Sequence, residues 1–395
     1  MTPPAAPLVL IEPYAHRVGG HHQRTLHALA AAHPDTRGIT VADIRGSART
    51  LIGCAAAAQV LVAAGRWMFR SRRWPEWVRR LPYQVELVRR CLVEAACLRT
   101  VRRDRAATGA TVVILTASEG LHAMAAALGG CAHLRFVHEV CTTEDLPLRL
   151  LGRLARRGQH RAGLLCPTEA VRQRAGARFP YLPTRVRTYA VDDGHRLTSA
   201  EIDSARSIFD IPEEATVVSL VGGWWQHKDI AVIDSALALL RSPLHLLVAG
   251  EPVDHAILVR WRHLPQVRLR VEPGSLPEAS LRLVYAAANA SLVTRRVGVG
   301  KESGLVLDAA RLGVALIVSD HDPHLTGQLT DHSWCRMFRA GDAAALAVAL
   351  DRLAGDPPPR PPASAPKALG IPTAAEQAAF LADSAAMLLT RGGHR

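Results

Sequence analysis

Residues 217–240 read VVSLVGGWWQHKDIAVIDSALALL, and this stretch decides the fold. Residues 217–221 form a short, nearly continuous apolar run. That is the pattern of a parallel strand covered on both faces, since no polar residue alternates toward solvent. Gly222-Gly223 breaks the run. Residues 230–240 then form an Ala- and Leu-rich helical stretch. Strand, glycine turn and returning helix make the repeating unit of an α/β sheet.

The same alternation extends in both directions. Strands are predicted at 8–11, 112–115, 134–137 and 164–166, and a second set at 245–249, 267–271, 290–293 and 315–318 beside 217–221. Helices are predicted at 23–32, 121–128, 230–240, 281–288 and 343–353. The expected fold class is α/β, with two Rossmann-like, doubly wound parallel-sheet domains facing a cleft. Residues 192–212 hold no apolar strand and separate the two sets. The domains are therefore placed at 1–195 and 205–370, the latter including the Pro-rich 356–366. Residues 371–395 form a last helix that packs back toward the first domain. Ligands of such sheets bind beyond the carboxyl ends of the strands.

Composition narrows the function. The chain has 395 residues, 49% hydrophobic and 21% charged, with a formal charge of +13. That supports cores of real size and excludes a disordered polyelectrolyte. Residues 51–65 are apolar but short of a membrane span, and read as a buried helix. The amino terminus lacks the pattern of a secretion signal. The seven cysteines are odd in number, scattered and without a CxxC pair, so a reduced, cytoplasmic setting is expected. Only Lys228, Lys301 and Lys367 are lysines among 48 basic residues. The arginine bias reads as coding bias or as attraction to an anionic partner. No nucleic-acid module is visible.

Between Arg66 and Arg105 there are twelve arginines and four acids, with Trp67, Phe69, Trp74 and Trp77 interleaved. Three readings stand: a solvated face, peripheral docking on the inner face of a membrane, or a cradle for an anionic acceptor.

Four pieces occur in a recognisable order: the opening stretch; LHLLVAGEP (244–252); VRLRVEPGSLPEASLRLVYAAANASLVT (267–294); and KESGLVLDAARLGVALIVSD (301–320). Over residues 215–355 this order resembles the donor domain of the retaining family-4 glycosyltransferases (glycosyltransferase group 1) of the GT-B fold. The resemblance implies a diphosphate-linked sugar donor carrying UDP or GDP. Fixed cations and backbone amides would then meet the charge that grows on the leaving diphosphate. No cofactor and no metal are expected, because cationic side chains take the place of Mg²⁺.

What the resemblance implies is residue-specific. Lys228 matches the lysine at the donor diphosphate. The family usually carries an arginine where this chain has Gly223, so that second cation is missing or comes from Arg295 or Arg296. Glu302 matches the acid at the donor sugar, and Asp308 the acid at the ribose hydroxyls, with two fewer residues between them than usual. The amides of Ser303, Gly304 and Leu305 would donate to phosphate, with Lys301 nearby. Gly274, Ser275 and Leu276 would lie near the nucleobase. In the first half, Gly19 and Gly20 would approach the phosphates. His138 would touch the sugar near the reacting carbon, with Glu139 beside it. Ser118 and Glu119 would face the acceptor. Trp224 and Trp225 are either a stacking platform or a packed loop flank. His21 and His22 read as solvated helix residues rather than metal ligands.

The expected function is retaining transfer of a sugar to a hydroxyl acceptor: a glycolipid, a polysaccharide precursor or a specialised metabolite. The alternatives are a nucleotide-sugar epimerase or phosphorylase on the same scaffold, and a binding protein with a degraded donor site.

Overall fold

The computed structural model describes residues 7–16, 21–69, 73–104, 109–140, 161–300 and 302–390. Contacts divide the chain into two units. One comprises the first strand, His22–Val191 and the C-terminal helix; the other comprises Asp192–Thr373.

The first unit carries β1 (Leu8–Ile11), β2 (Thr36–Ile39), β3 (Thr111–Ile114), β4 (His133–Phe136), β5 (Ala162–Cys166) and β6 (Thr184–Val186) in one parallel sheet of order β2-β1-β3-β4-β5-β6. Its helices are α1 (His21–Ala32), α2 (Ala48–Met68), α3 (Glu76–Arg103), α4 (His122–Gly129) and α5 (Glu169–Arg178). Strand periodicity sorts the core into two layers. Val9, Ile11, Val112, Ile114, Leu164 and Cys166 face Ala96, Cys97 and Leu98 of α3. Leu8, Leu10, Val113, Leu134 and Phe136 face Leu26 and Leu29 of α1 and Ala378, Leu381 and Ala382 of the C-terminal helix.

The second unit carries α6 (Ser199–Ile208), β7 (Val217–Val221), α7 (Ile230–Leu237), β8 (Leu244–Ala249), α8 (His255–Arg262), β9 (Val267–Glu272), α9 (Glu278–Ala287), β10 (Ala290–Val293), α10 (Gly304–Leu312), β11 (Ala315–Ser319), α11 (Pro323–Leu329), β12 (Cys335–Phe338), α12 (Ala343–Asp351) and α13 (Ala365–Ala368). Its parallel sheet runs β12-β11-β10-β7-β8-β9. Short polar side chains start the helices where strand turns into helix. Asp229 accepts from Val232 N at 3.3 Å, and Asp342 from Ala345 N at 2.9 Å. The last helix, α14 (Ala374–Thr390), lies on the first sheet. There Gln377 Nε2 donates to the Thr188 carbonyl at 2.9 Å, and Arg187 Nε donates to Gln377 Oε1.

The expectation for residues 51–65 fails. They lie within α2, which is 21 residues and long and apolar enough to cross a membrane by length and composition, yet only a third of its apolar window is buried. The buried residues are Ala48, Ala55, Ala58, Val62 and Gly65, one stripe turned toward α3. A long helix that is apolar beyond its packed stripe is not a solvated surface helix of the usual kind.

Candidate functional site

In the second sheet the strand order reverses between β7 and β10, which are neighbours although three strands apart in sequence. Loops leaving the two strands diverge there, so the carboxyl ends frame a crevice. Lys228 follows β7 and Arg295 follows β10, and residues 228 and 295 form an isolated antiparallel bridge. Both side chains are buried, at 7% and 5% exposure. Lys228 Nζ donates to the carbonyls of Val221 at 2.6 Å and Gly222 at 2.7 Å. Burial first, and the charge of Arg295 second, push the Lys228 ammonium down to about 7. A buried lysine held beside a second cation is a place where an anion restores the charge balance.

Arg295 extends the cluster. Its backbone N–H donates to Ser319 Oγ at 3.0 Å, and its Nη2 reaches the Glu302 carbonyl at 3.4 Å. Ser319 Oγ is also 3.0 Å from His321 Nδ1, which donates to the Ser319 carbonyl at 2.8 Å. Burial and Arg295 together hold the His321 imidazole below its ordinary range. Glu302 leads into Ser303, which precedes α10. Ser303 is 4% exposed; its Oγ makes no helix cap and has no hydrogen-bond partner among the described residues. The first amides of α10 have no acceptor within the helix, so they add partial positive charge to the crevice.

Gly223 has a packing reason. A Cβ there would overlap the Glu251 carbonyl and sit 2.7 Å from Pro252 Cδ. No side chain fits, so the arginine of the family pattern has no room at this position. Of the two substitutes considered, Arg295 is buried beside Lys228, whereas Arg296 is exposed. Gly274 approaches the same loop, since its Cβ would lie 4.0 Å from Glu251 Oε1. Ser275 beside it is exposed and Leu276 half-buried. Trp224 is a loop flank: it packs on Trp261 at 5.2 Å between ring centroids and abuts the core. Trp225 is exposed.

Asp308 is placed differently from Glu302. Its carboxylate lies 3.5 Å from Arg311, which is buried and also holds Asp193 at 2.8 Å and Glu278 at 3.6 Å. The sequence reading did not single out Arg311, Ser319 or His321. The signal was only that each is a polar residue at or near the end of an apolar element. Gly19, Gly20 and Lys301 lie outside the described residues.

In the first unit, Ser118 is 1% exposed. It spends its N–H and hydroxyl on Glu94, and its hydroxyl also reaches the Gly120 carbonyl at 2.9 Å. It belongs to a buried network rather than an acceptor-facing edge. Glu119 is half-buried, accepting from Tyr83 Oη and lying 3.6 Å from Arg90. His138 follows β4 and stands edge-on to Tyr189 at 4.4 Å; Glu139 beside it is exposed. His22 is half-buried rather than fully solvated. Its Nδ1 lies 3.0 Å from Thr116 Oγ1, which donates to the fully buried Glu12 at 2.7 Å. Glu12 and Thr116 end β1 and β3, where the first sheet reverses.

No family model and no curated protein matches the chain. Solved structures do. Anabaena Alr3699/HepE in complex with UDP-glucose is similar at 13% identity and a TM-score of 0.57, covering 98% of each chain. WaaG, a glycosyltransferase involved in lipopolysaccharide biosynthesis, is similar at 13% identity and 0.56, over 96% of this chain and 99% of that one. A glycosyltransferase from Rickettsia africae is similar at 12% identity and 0.53, over 98% and 94%. With these proteins the chain shares the GT-B fold, two Rossmann-like parallel-sheet domains.

Proposed function

We propose that this protein is a glycosyltransferase that takes a sugar from a nucleotide-diphosphate donor and places it on a hydroxyl, with retention at the anomeric carbon. The observation that carries the reading is the buried Lys228–Arg295 pair at the reversal point of the second sheet, beside the start of α10. The diphosphate lies against these two cations and the amides of Gly304 and Leu305. Their charge is already oriented, so it stabilises the leaving group without reorganisation as the glycosidic bond breaks. Ser303 Oγ gains a phosphate acceptor. Asp308 takes the ribose hydroxyls, the 274–276 turn the base, and Glu302 the sugar. No metal is needed where two fixed cations meet the diphosphate. The leaving phosphate accepts the acceptor's proton, which requires no dedicated protein base. The protein works in the cytoplasm. HepE was solved with UDP-glucose, which makes a UDP-sugar the first donor to test.

The test is a donor screen read by nucleotide release, with and without acceptors, together with calorimetry on UDP- and GDP-sugars. Lys228→Ala should lower turnover at least tenfold, roughly 1.4 kcal/mol, with the fold intact. Turnover within threefold of wild type removes Lys228 from the chemistry. Absence of nucleotide binding by the wild type would favour the binding protein with a degraded donor site. Release without acceptor would favour an epimerase. EDTA should leave activity unchanged, and the product anomer, read by NMR, should match the donor's.

A further inference from the structure

We infer that the free end of the α2–α3 hairpin is an interfacial anchor that seats this protein on an anionic membrane surface. α2 buries one stripe against α3, and Gly65 lets the helices approach, since a Cβ there would lie 3.1 Å from Pro82 Cγ. The rest of α2 is exposed. From Thr50 to Gly65 it holds no charged residue, so its outer face is apolar without the polar complement that water demands. Toward the turn the exposed residues become large: Val60, Leu61, Trp67 at 80% exposure, Met68, Trp74, Trp77 at 62%, and Leu81.

The surface ends sharply. Beyond Leu81, α3 turns inward, and Leu87, Cys91, Ala95, Leu98 and Val101 belong to the core. The anchor is therefore made of residues 50–69 and 73–81, not the whole of 66–105.

Charge selects the occupant. Residues 60–81 contain six arginines against Glu76 alone, and Glu76 is already paired with Arg80. Tryptophan rings with arginines around them match the boundary between acyl chains and anionic headgroups: the rings take the apolar side and the guanidiniums the phosphates. A second copy of this hairpin would bring like charge onto like charge.

The test uses the full chain without nucleotide sugar, so its failure is separate from failure of the transfer reading. Vesicles of phosphatidylglycerol with phosphatidylcholine should co-float the protein at low salt, at least tenfold more than phosphatidylcholine alone, and salt should release it. Brominated acyl chains should quench its tryptophan emission. Trp67→Ser with Trp77→Ser should reduce quenching to what Trp74 alone retains, and Arg66→Gln with Arg79→Gln should weaken flotation. All four side chains are exposed, and circular dichroism confirms folding of each variant. Absence of flotation at low salt, flotation without quenching, or a solution dimer broken by the tryptophan variant would overturn the inference.

Discussion

Lys228 shows how much one side chain depends on its surroundings. Without ligand its ammonium loses a proton near pH 7, because it is buried beside Arg295. A diphosphate against Nζ would favour the charged form and restore that proton. Binding of UDP-glucose should therefore take up a proton above pH 7, and affinity should fall as pH rises from there, by at most about tenfold per unit. Calorimetry in buffers of different ionisation enthalpy measures the uptake, which Lys228→Met should abolish. The same depression sets a sign for stability. Between pH 7 and the ordinary lysine range the unfolded chain binds more protons, so this group adds stability as pH rises. Gly223 gives a second test. Gly223→Arg restores the family's residue type, yet it should destabilise by about 1–3 kcal/mol or more and lose nucleotide binding, because the Glu251 carbonyl occupies the space. Retained stability in a thermal melt would contradict this packing.

At the scale of elements, the central strands and the edge strand β9 were legible, and the other three edges were not. β1, β3, β5, β7, β8, β10 and β11 are short, mostly apolar runs because both faces are covered. β2, β6 and β12 were missed, and each is the outermost strand of its sheet. Thr36–Ile39 and Thr184–Val186 are polar and partly exposed, as edge strands must be, so no apolar run announced them. In α3 the dense arginines mask the helical period, so residues 66–105 announce charge rather than a helix, whereas the apolar 51–65 of α2 does announce one. What fixes α3 to the sheet is a buried polar network that composition does not reveal. Arg135 in β4 donates to Glu94, to His122 at 3.1 Å and lies 3.1 Å from His133 Nε2. Burial and Arg135 hold the His133 imidazole down to about 3 and that of His122 well below its usual range, so both stay neutral acceptors or donors. Glu94→Ala would strand the buried guanidinium and should cost about 3–5 kcal/mol. Chemical denaturation measures it, and a loss under 1 kcal/mol would show the network to be dispensable.

At the scale of the whole molecule, chain order and unit membership part company. α14 is last in sequence yet supplies Ala378, Leu381 and Ala382 to the core of the first unit. Deleting residues 374–395 should expose amides of β1, β3, β4 and β5 to hydrogen exchange and leave those of β7 to β11 unchanged. Equal deprotection of both sheets would contradict the division.

The sequence alone determined the two parallel sheets, their central strands and the place of Lys228, because a strand covered on both faces must be apolar and the turn that follows it must bend. Tertiary structure alone decided which cation joins Lys228, why Gly223 carries no side chain, that Ser118 is buried, and that α2 stays exposed. Those outcomes depend on backbone and side chains many residues away meeting within a few ångströms, and one-dimensional patterning carries no record of such encounters.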